Sequence, residues 1–270
     1  MYAYLDFRKV RFAATFASRE RAIVDALGMF ESSGSVSRMG PEEEDEEDEL
    51  AETIYSVDEN KRLNIEYYKN NILHSFVSIS FVSTSLLSGS RTSIPFSEIM
   101  EDYTFFKTLF MDEFIYDNNV DDHEEVRKVL SYARDREMIT IHEEAGDPVS
   151  VEVIGTGRAI LPPFSGLVQN YLESYWIASR GCAYLKNKER QEKDLLKKIQ
   201  KLGVKMYKKG EISKAEALSQ SNYRNALKFL VDYGAISVSR EGEEDRVQTF
   251  SLADKERLES VRRKLFKFML

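Results

Sequence analysis

Apolar residues recur at three- and four-residue steps through the centre of the chain, where Ile65, Tyr68, Ile72, Phe76, Ile79, Val82 and Leu86 fall on one face of a helix within Leu63–Leu87. The second half, SFVSISFVSTS, also alternates, with Ser75, Ser78, Ser80, Ser83 and Ser85 between β-branched or aromatic residues, so a strand stays open there. From Asn70 to Ser90 only His74 could carry charge, and about 20 apolar residues would span a bilayer. The serines argue otherwise, because insertion would leave their hydroxyls without water. A buried bundle helix is expected.

Helical spacing returns in Ser97–Phe114, where Ile99, Tyr103, Phe106, Phe110 and Phe114 mark one aromatic face. Such a stripe reads as core, although an acyl-chain groove would use the same residues. Leu161-Pro162-Pro163 should break the chain before a long helix faced by Leu167, Val168, Tyr171, Leu172, Tyr175, Trp176 and Ser179. With Leu63–Leu87, that helix is expected to form the bundle centre. Near the start, Tyr2–Phe7 alternates like a short strand, and Ser18–Arg21 caps a helix over Ala22–Leu27 that Gly28 should stop.

One pattern occurs twice. A helix around Val126–Leu130 leads into Met138–Ile141, a turn at Glu143–Pro148 and Val149–Ile154; a helix around Ala226–Leu230 leads into Ala235–Val238, a turn at Glu241–Asp245 and Val247–Leu252. Each reads as a helix followed by a hairpin, and the second has short helices before it at Leu196–Tyr207 and Lys214–Ser219. The expected fold is mainly α (α+β), a helical bundle with two winged-helix-like helix-hairpin units. Four segments are expected: 1–31, a strand and helix; 32–59, an acidic linker; 60–160, with the first winged-helix-like unit; and 161–270, with the second. The unbroken acidic run Glu42–Glu49 repels itself and buries nothing, so disorder is expected there, with an acidic tether screening the basic end as the alternative.

Three stretches resemble the C-terminal region of bacterial membrane-associated glycerol-3-phosphate acyltransferases. They are Tyr67-Tyr68-Lys69-Asn70-Asn71-Ile72-Leu73-His74, Tyr171-Leu172-Glu173-Ser174-Tyr175-Trp176, and Lys209-Gly210-Glu211-Ile212 running on to Glu216-Ala217-Leu218-Ser219. They stand in the family's order, over about Asn60–Leu270, and they are packing motifs. Residues 1–30 then look like the end of an acyltransferase domain. The resemblance implies work at the cytoplasmic membrane face, where the family moves an acyl group from a thioester carrier to the 1-hydroxyl of glycerol 3-phosphate.

Composition changes the picture in two ways. The net charge of −8 is uneven: residues 186–270 hold 21 Lys+Arg against 13 Asp+Glu, or +8, leaving 17 against 33, or −16, for residues 1–185. A basic end could face nucleic acid, anionic lipid or the acidic part of its own chain. The single cysteine, Cys182, rules out an internal disulfide, and with three scattered histidines it argues against structural zinc. The first residues, MYAYLDFRKVRFAATF, lack the features of a secretory signal, so a cytoplasmic protein is expected, peripheral at the inner face of the membrane where the family works.

Candidate chemistry is sparse. The resembled family uses a His-x4-Asp pair and a downstream phosphate-holding Glu-Gly-Thr-Arg type motif. His142 and Asp147 match the first by spacing, and Gly89-Ser90-Arg91-Thr92 faintly echoes the second. Their order is inverted, no Phe-Pro-Glu precedes Arg91, and His142 falls on a wing, where water cannot be excluded. His74 reads as a hydrogen-bonded core histidine, His123 as a solvated helix start and Cys182 as a small core residue. Gly155-Thr156-Gly157 is too short for a phosphate loop and no helix is expected after it. No catalytic, cofactor or metal residues are assigned, and no cofactor is expected.

The expected function is a noncatalytic scaffold or docking module of a glycerol-3-phosphate acyltransferase-like protein in phospholipid biosynthesis. Its partner would be an acyltransferase domain on a separate chain or ahead of this sequence. The alternative is a tandem winged-helix nucleic-acid-binding protein using Asn222, Arg224, Asn225 and Lys228, opposed by the acidic second wing. The surface singled out is the terminal helix after Asp254. There Leu258, Val261, Leu265 and Phe268 form a stripe, and Arg257, Arg262, Arg263, Lys264 and Lys267 could meet an anionic membrane.

Overall fold

The structure, a computed structural model, describes residues 1–10, 18–39, 54–57, 61, 72–89, 91–116, 119–241 and 247–269. They fall into two compact units, Met1–Ser75 and Phe76–Leu270, a coarser division than the four segments expected.

The first unit holds α1 (Tyr2–Phe7), α2 (Arg19–Ser32), β1 (Val36–Met39) and β2 (Ile54–Val57). Tyr2–Phe7 is a helix, not the expected strand. Its buried residues, Tyr4 and Leu5, are sequence neighbours, which a period-two strand cannot place on one face. Ser18 caps α2 as expected, its hydroxyl accepting the Arg21 N–H at 3.1 Å. Gly28 does not stop this helix; Gly34 does, at φ +64°, while the Ser35 N–H donates back to the Phe30 carbonyl at 2.8 Å. β1 and β2 pair antiparallel, Val36 opposite Val57, so strand occupies both ends of the segment expected to be linker. The acidic run and Leu63–Asn71 lie outside the described residues. Ile72 is exposed rather than buried, and His74 is exposed where a core histidine was expected, because the chain turns at 74–76.

In the second unit, α3 (Val77–Leu87) is buried on nearly every side. Three of its hydroxyls find partners inside: Thr84 donates to the Ser80 carbonyl at 2.7 Å, Ser85 to Asp102 at 2.7 Å, and Ser78 lies 3.2 Å from the Tyr103 hydroxyl. The second half of the central stretch is therefore helix; Ser78 and Ser85 are held by neighbours, while the buried Ser80 and Ser83 hydroxyls have no partner among the described residues. Among the described residues no helix is long and apolar enough to cross a membrane.

The aromatic stripe expected over Ser97–Phe114 lies on α4 (Phe96–Leu109) and the turn after it, and it is core. The Phe81 ring of α3 meets Tyr103 at 5.8 Å, Phe106 at 5.1 Å and Phe110 at 5.9 Å. Tyr175 stands edge-on to Phe110 at 5.1 Å, from α7 (Gln169–Gly181). α3 and α7 are both buried along most of their length.

The remaining elements form one topology twice. β3 (Ser93–Pro95), α4, α5 (Asp122–Arg134), β4 (Ile139–Glu144), β5 (Asp147–Val153) and α6 (Gly155–Ser165) make the first copy. β6 (Arg190–Gln191), α8 (Glu192–Lys208), a 3₁₀ turn (Ala215–Leu218), α9 (Gln220–Asp232), β7 (Ile236–Glu241), β8 (Val247–Leu252) and α10 (Lys255–Phe266) make the second. In each sheet the last strand lies between the other two. Each second helix closes identically, with Glu137 and Gly234 at positive φ and the next N–H donating back five residues, Met138 to Ala133 and Ala235 to Leu230, both at 2.9 Å.

Two expectations fail at α6. Pro162 and Pro163 lie inside it, on its exposed side, where water can serve the carbonyls that lose their N–H partners. Gly155 opens this helix, so a helix does follow the glycine pair. Gly157 serves packing: a Cβ there would strike the Met138 carbonyl.

Candidate functional site

Two of the motif stretches meet at one buried carboxylate. Glu173 on α7, 1 % exposed, accepts the Ser213 N–H at 3.0 Å, the Ser213 hydroxyl at 2.9 Å and the Lys214 N–H at 2.8 Å. Beside it the Ser174 hydroxyl donates to the Asn170 and Ala217 carbonyls and accepts from the Asn222 side chain at 3.3 Å. The loop after α8 is thus clamped to the bundle's central helix. A buried carboxylate is stable there because three donors replace its water.

The terminal helix is seated by its own cations. Asp254 caps α10, accepting the Glu256 N–H at 2.8 Å and the Arg257 N–H at 3.0 Å. Leu258, Val261, Leu265 and Phe268 are buried, Phe268 against Phe106 at 4.5 Å, so Leu265 and Phe268 cannot insert into a membrane from this seat. Lys267 lies 2.8 Å from Glu98 and 2.7 Å from Asp102. Burial works against its charge, but these hydrogen bonds outweigh it and raise its pKa. Hydrogen bonds from Arg91 and Lys267 hold Glu98 below the usual carboxylate range. Arg262 donates to the Ser179 carbonyl at 2.7 Å and 3.0 Å, and Arg257 to the Tyr233 carbonyl at 3.1 Å. Lys264 lies over the Phe105 ring. Of the five basic residues singled out, Arg263 alone has no partner among the described residues.

The helix considered for nucleic acid, α9, has its polar residues engaged by neighbours, although Arg224 and Lys228 stay exposed. Arg224 pairs with Glu192 at 3.0 Å, Lys228 with Asp112 at 2.6 Å, Asn225 donates to the Asp112 carbonyl at 3.5 Å, and Asn222 is buried. Next to Asp112, Glu113 accepts the Tyr175 hydroxyl at 3.0 Å; burial raises its pKa, against the pull of hydrogen bonds from Asn225 and Tyr175. The tip of the second hairpin, 242–246, lies outside the described residues.

His142 and Asp147 share a hairpin but not a bond. His142 is exposed on β4, its Nε2 3.7 Å from Glu152, while Asp147 pairs with Arg127 at 2.6 Å. Arg91 is taken by Glu98. His123 is exposed in the first turn of α5 against the Phe96 ring. Cys182 is fully buried, and burial pushes its thiol up to about 12. No cluster of His, Cys, Asp and Glu able to hold a metal occurs among the described residues.

Open clefts mark the surface of this unit, and two of them are the larger. One, of about 1120 Å³, lies along α4 and α5 and is lined by Thr104, Lys107, Asp121, Asp122 and His123 among others. The other, of about 550 Å³, lies between α7, α8 and α10 and is lined by Trp176, Arg180, Tyr184, Leu202, Arg263 and Phe266. Sequence reasoning missed the second, since its residues come from three separate helices; the exposed aromatic at Phe266, off the apolar stripe of α10, was the available signal.

A family model described as the glycerol-3-phosphate acyltransferase C-terminal region matches residues 1–239. No curated protein matches the chain. The match begins at residue 1, so the first 30 residues fall inside that region rather than at the end of an acyltransferase domain, and it stops short of β8 and α10.

Proposed function

Because this chain belongs to the glycerol-3-phosphate acyltransferase C-terminal-region family, we propose that it is a noncatalytic scaffold or docking module for an acyltransferase domain of that kind. The domain would be carried on a separate chain or ahead of this sequence, and the pair would work in phospholipid biosynthesis at the cytoplasmic face of the membrane. The observation that carries the reading is the Glu173 clamp: motif residues of the family are spent on fixing a loop to a central helix, not on lining a reactive cleft. The two copies of the strand–helix–helix–hairpin topology read as winged-helix-like modules used for packing. The pairing of Arg224 and Lys228 with carboxylates of the same unit, and of Asn225 with the Asp112 carbonyl, supports this over readout of a nucleic acid by α9.

The test combines the purified chain, without lipid, with an acyltransferase domain lacking its own C-terminal region. The chain alone should not acylate glycerol 3-phosphate from an acyl thioester; added to the domain, it should form a complex and raise the domain's activity or melting temperature. Turnover by the chain alone that disappears in His142→Ala, or no association, would overturn the proposal.

A further inference from the structure

The basic charge of the last third is concentrated on one helix beside the second cleft. α8 exposes Lys197, Lys201, Lys205 and Lys208, and none of these has an ion pair among the described residues. Lysines at four-residue spacing repel one another, so without an acidic partner this ridge weakens its own helix. The ridge and the cleft share α8, whose Leu202 is the helix's contribution to the cleft wall. One turn before it Lys198 lies over the Tyr184 ring at 5.6 Å, and Lys205 follows one turn after. On the far wall α10 brings Arg263, also unpaired, and Phe266, which is 66 % exposed with its ring 5.7 Å from Trp176. Arg180 and Arg262 there are already matched by Glu211 and Glu259.

We propose that the α8 lysine ridge and the Phe266–Trp176–Tyr184 rim of this cleft dock on an anionic lipid bilayer. Both halves of the chemistry point there. Unmatched lysines are drawn to the negative surface potential of anionic headgroups, and exposed aromatic rings settle near the headgroup level, where their apolar surface leaves water. Phe266 takes the part expected of the Leu265 and Phe268 stripe, which faces inward. A nucleic acid offers the lysines equal charge, but a helix for reading it is not free, since α9 is held by Asp112 and Glu192. The surface lies away from the Glu173 clamp and is assayed with lipid alone, so it and the scaffold reading can fail separately.

The experiment is co-sedimentation of the full chain with phosphatidylcholine vesicles, with and without about a third phosphatidylglycerol, at low and high ionic strength. Binding should require the anionic lipid and fall with salt. Lys201→Gln with Lys205→Gln should weaken it about thirtyfold, at about fivefold per near-surface lysine. Lys201→Arg with Lys205→Arg should preserve it, and Phe266→Ser should weaken it about tenfold. All these positions are exposed, and circular dichroism would check each fold. Equal binding to both vesicle types, or no response to Lys201→Gln with Lys205→Gln, would overturn the proposal. So would a duplex oligonucleotide that binds through the ridge while vesicles do not.

Discussion

The Lys267 ammonium lies 2.7 Å from a carboxylate oxygen of Asp102, a residue 2 % exposed and 165 positions earlier in the chain. The last turn of the protein is thereby fixed to the helix that carries the aromatic core. Removing the cation leaves a buried carboxylate with only Ser85 as a charge-stabilising donor, so Lys267→Met should cost about 3 kcal/mol in urea unfolding. Replacing both residues together, Lys267→Met with Asp102→Leu, should cost far less. A loss below about 1 kcal/mol for the single change would show that water, not Lys267, satisfies Asp102.

Glu113 ties stability to pH. Its folded pKa is raised by burial, so between the ordinary carboxylate pKa and the raised one the folded state holds more protons than the unfolded. Stability should therefore fall as pH rises through that window. Glu113→Gln keeps an acceptor for the Tyr175 hydroxyl and carries no charge, so it should be the more stable protein at neutral pH and lose that slope. Denaturant midpoints across acid to neutral pH would decide it; parallel curves for both proteins would refute it.

Cys182 should be silent toward thiol reagents. It is fully buried, with its pKa pushed up to about 12, so at pH 8 almost no thiolate exists and none is accessible. A chromogenic disulfide should react stoichiometrically in denaturant and at least about a hundredfold more slowly without it. Fast native labelling would mean that α7 opens readily.

Glycines in two helices should respond with opposite sign. A Cβ at Gly157 would strike the Met138 carbonyl, and backbone there cannot retreat, so Gly157→Ala should cost about 2 kcal/mol or more. A Cβ at Gly28, inside α2, meets nothing within 4 Å, so Gly28→Ala should gain about 0.5–1 kcal/mol of helix propensity. Thermal melts of the two variants test both.

Period and capping made much of the second unit legible: the α4 stripe, the α7 face, both hairpins and the Asp254 cap all follow from residues close in sequence. Where tertiary contacts decide, the sequence misled. Tyr2–Phe7 alternates yet buries two neighbours as a helix, and Pro162 and Pro163 sit in a helix because their side of it faces water. Gly155 opens a helix that its neighbours did not announce. At the candidate site, Glu173 was visible only as part of a motif, since Ser213 and Lys214, which give it a role, come some 40 residues later. The lysine ridge was hidden inside a net charge: a sum over the last third cannot say which side of α8 lacks carboxylates.

The duplicated topology also divides charge. Residues 76–185, which contain the first copy, hold 8 Lys+Arg against 17 Asp+Glu, or −9, and residues 186–270, which contain the second, hold +8. The second unit is thus close to neutral while its two halves oppose each other, which makes it an electric dipole. A dipole feels a torque in any electric field, so such a body rotates before it touches. Near a negatively charged plane, the half bearing α8 would turn toward it and the half bearing α4 away, and the arrival of this protein would already be its alignment.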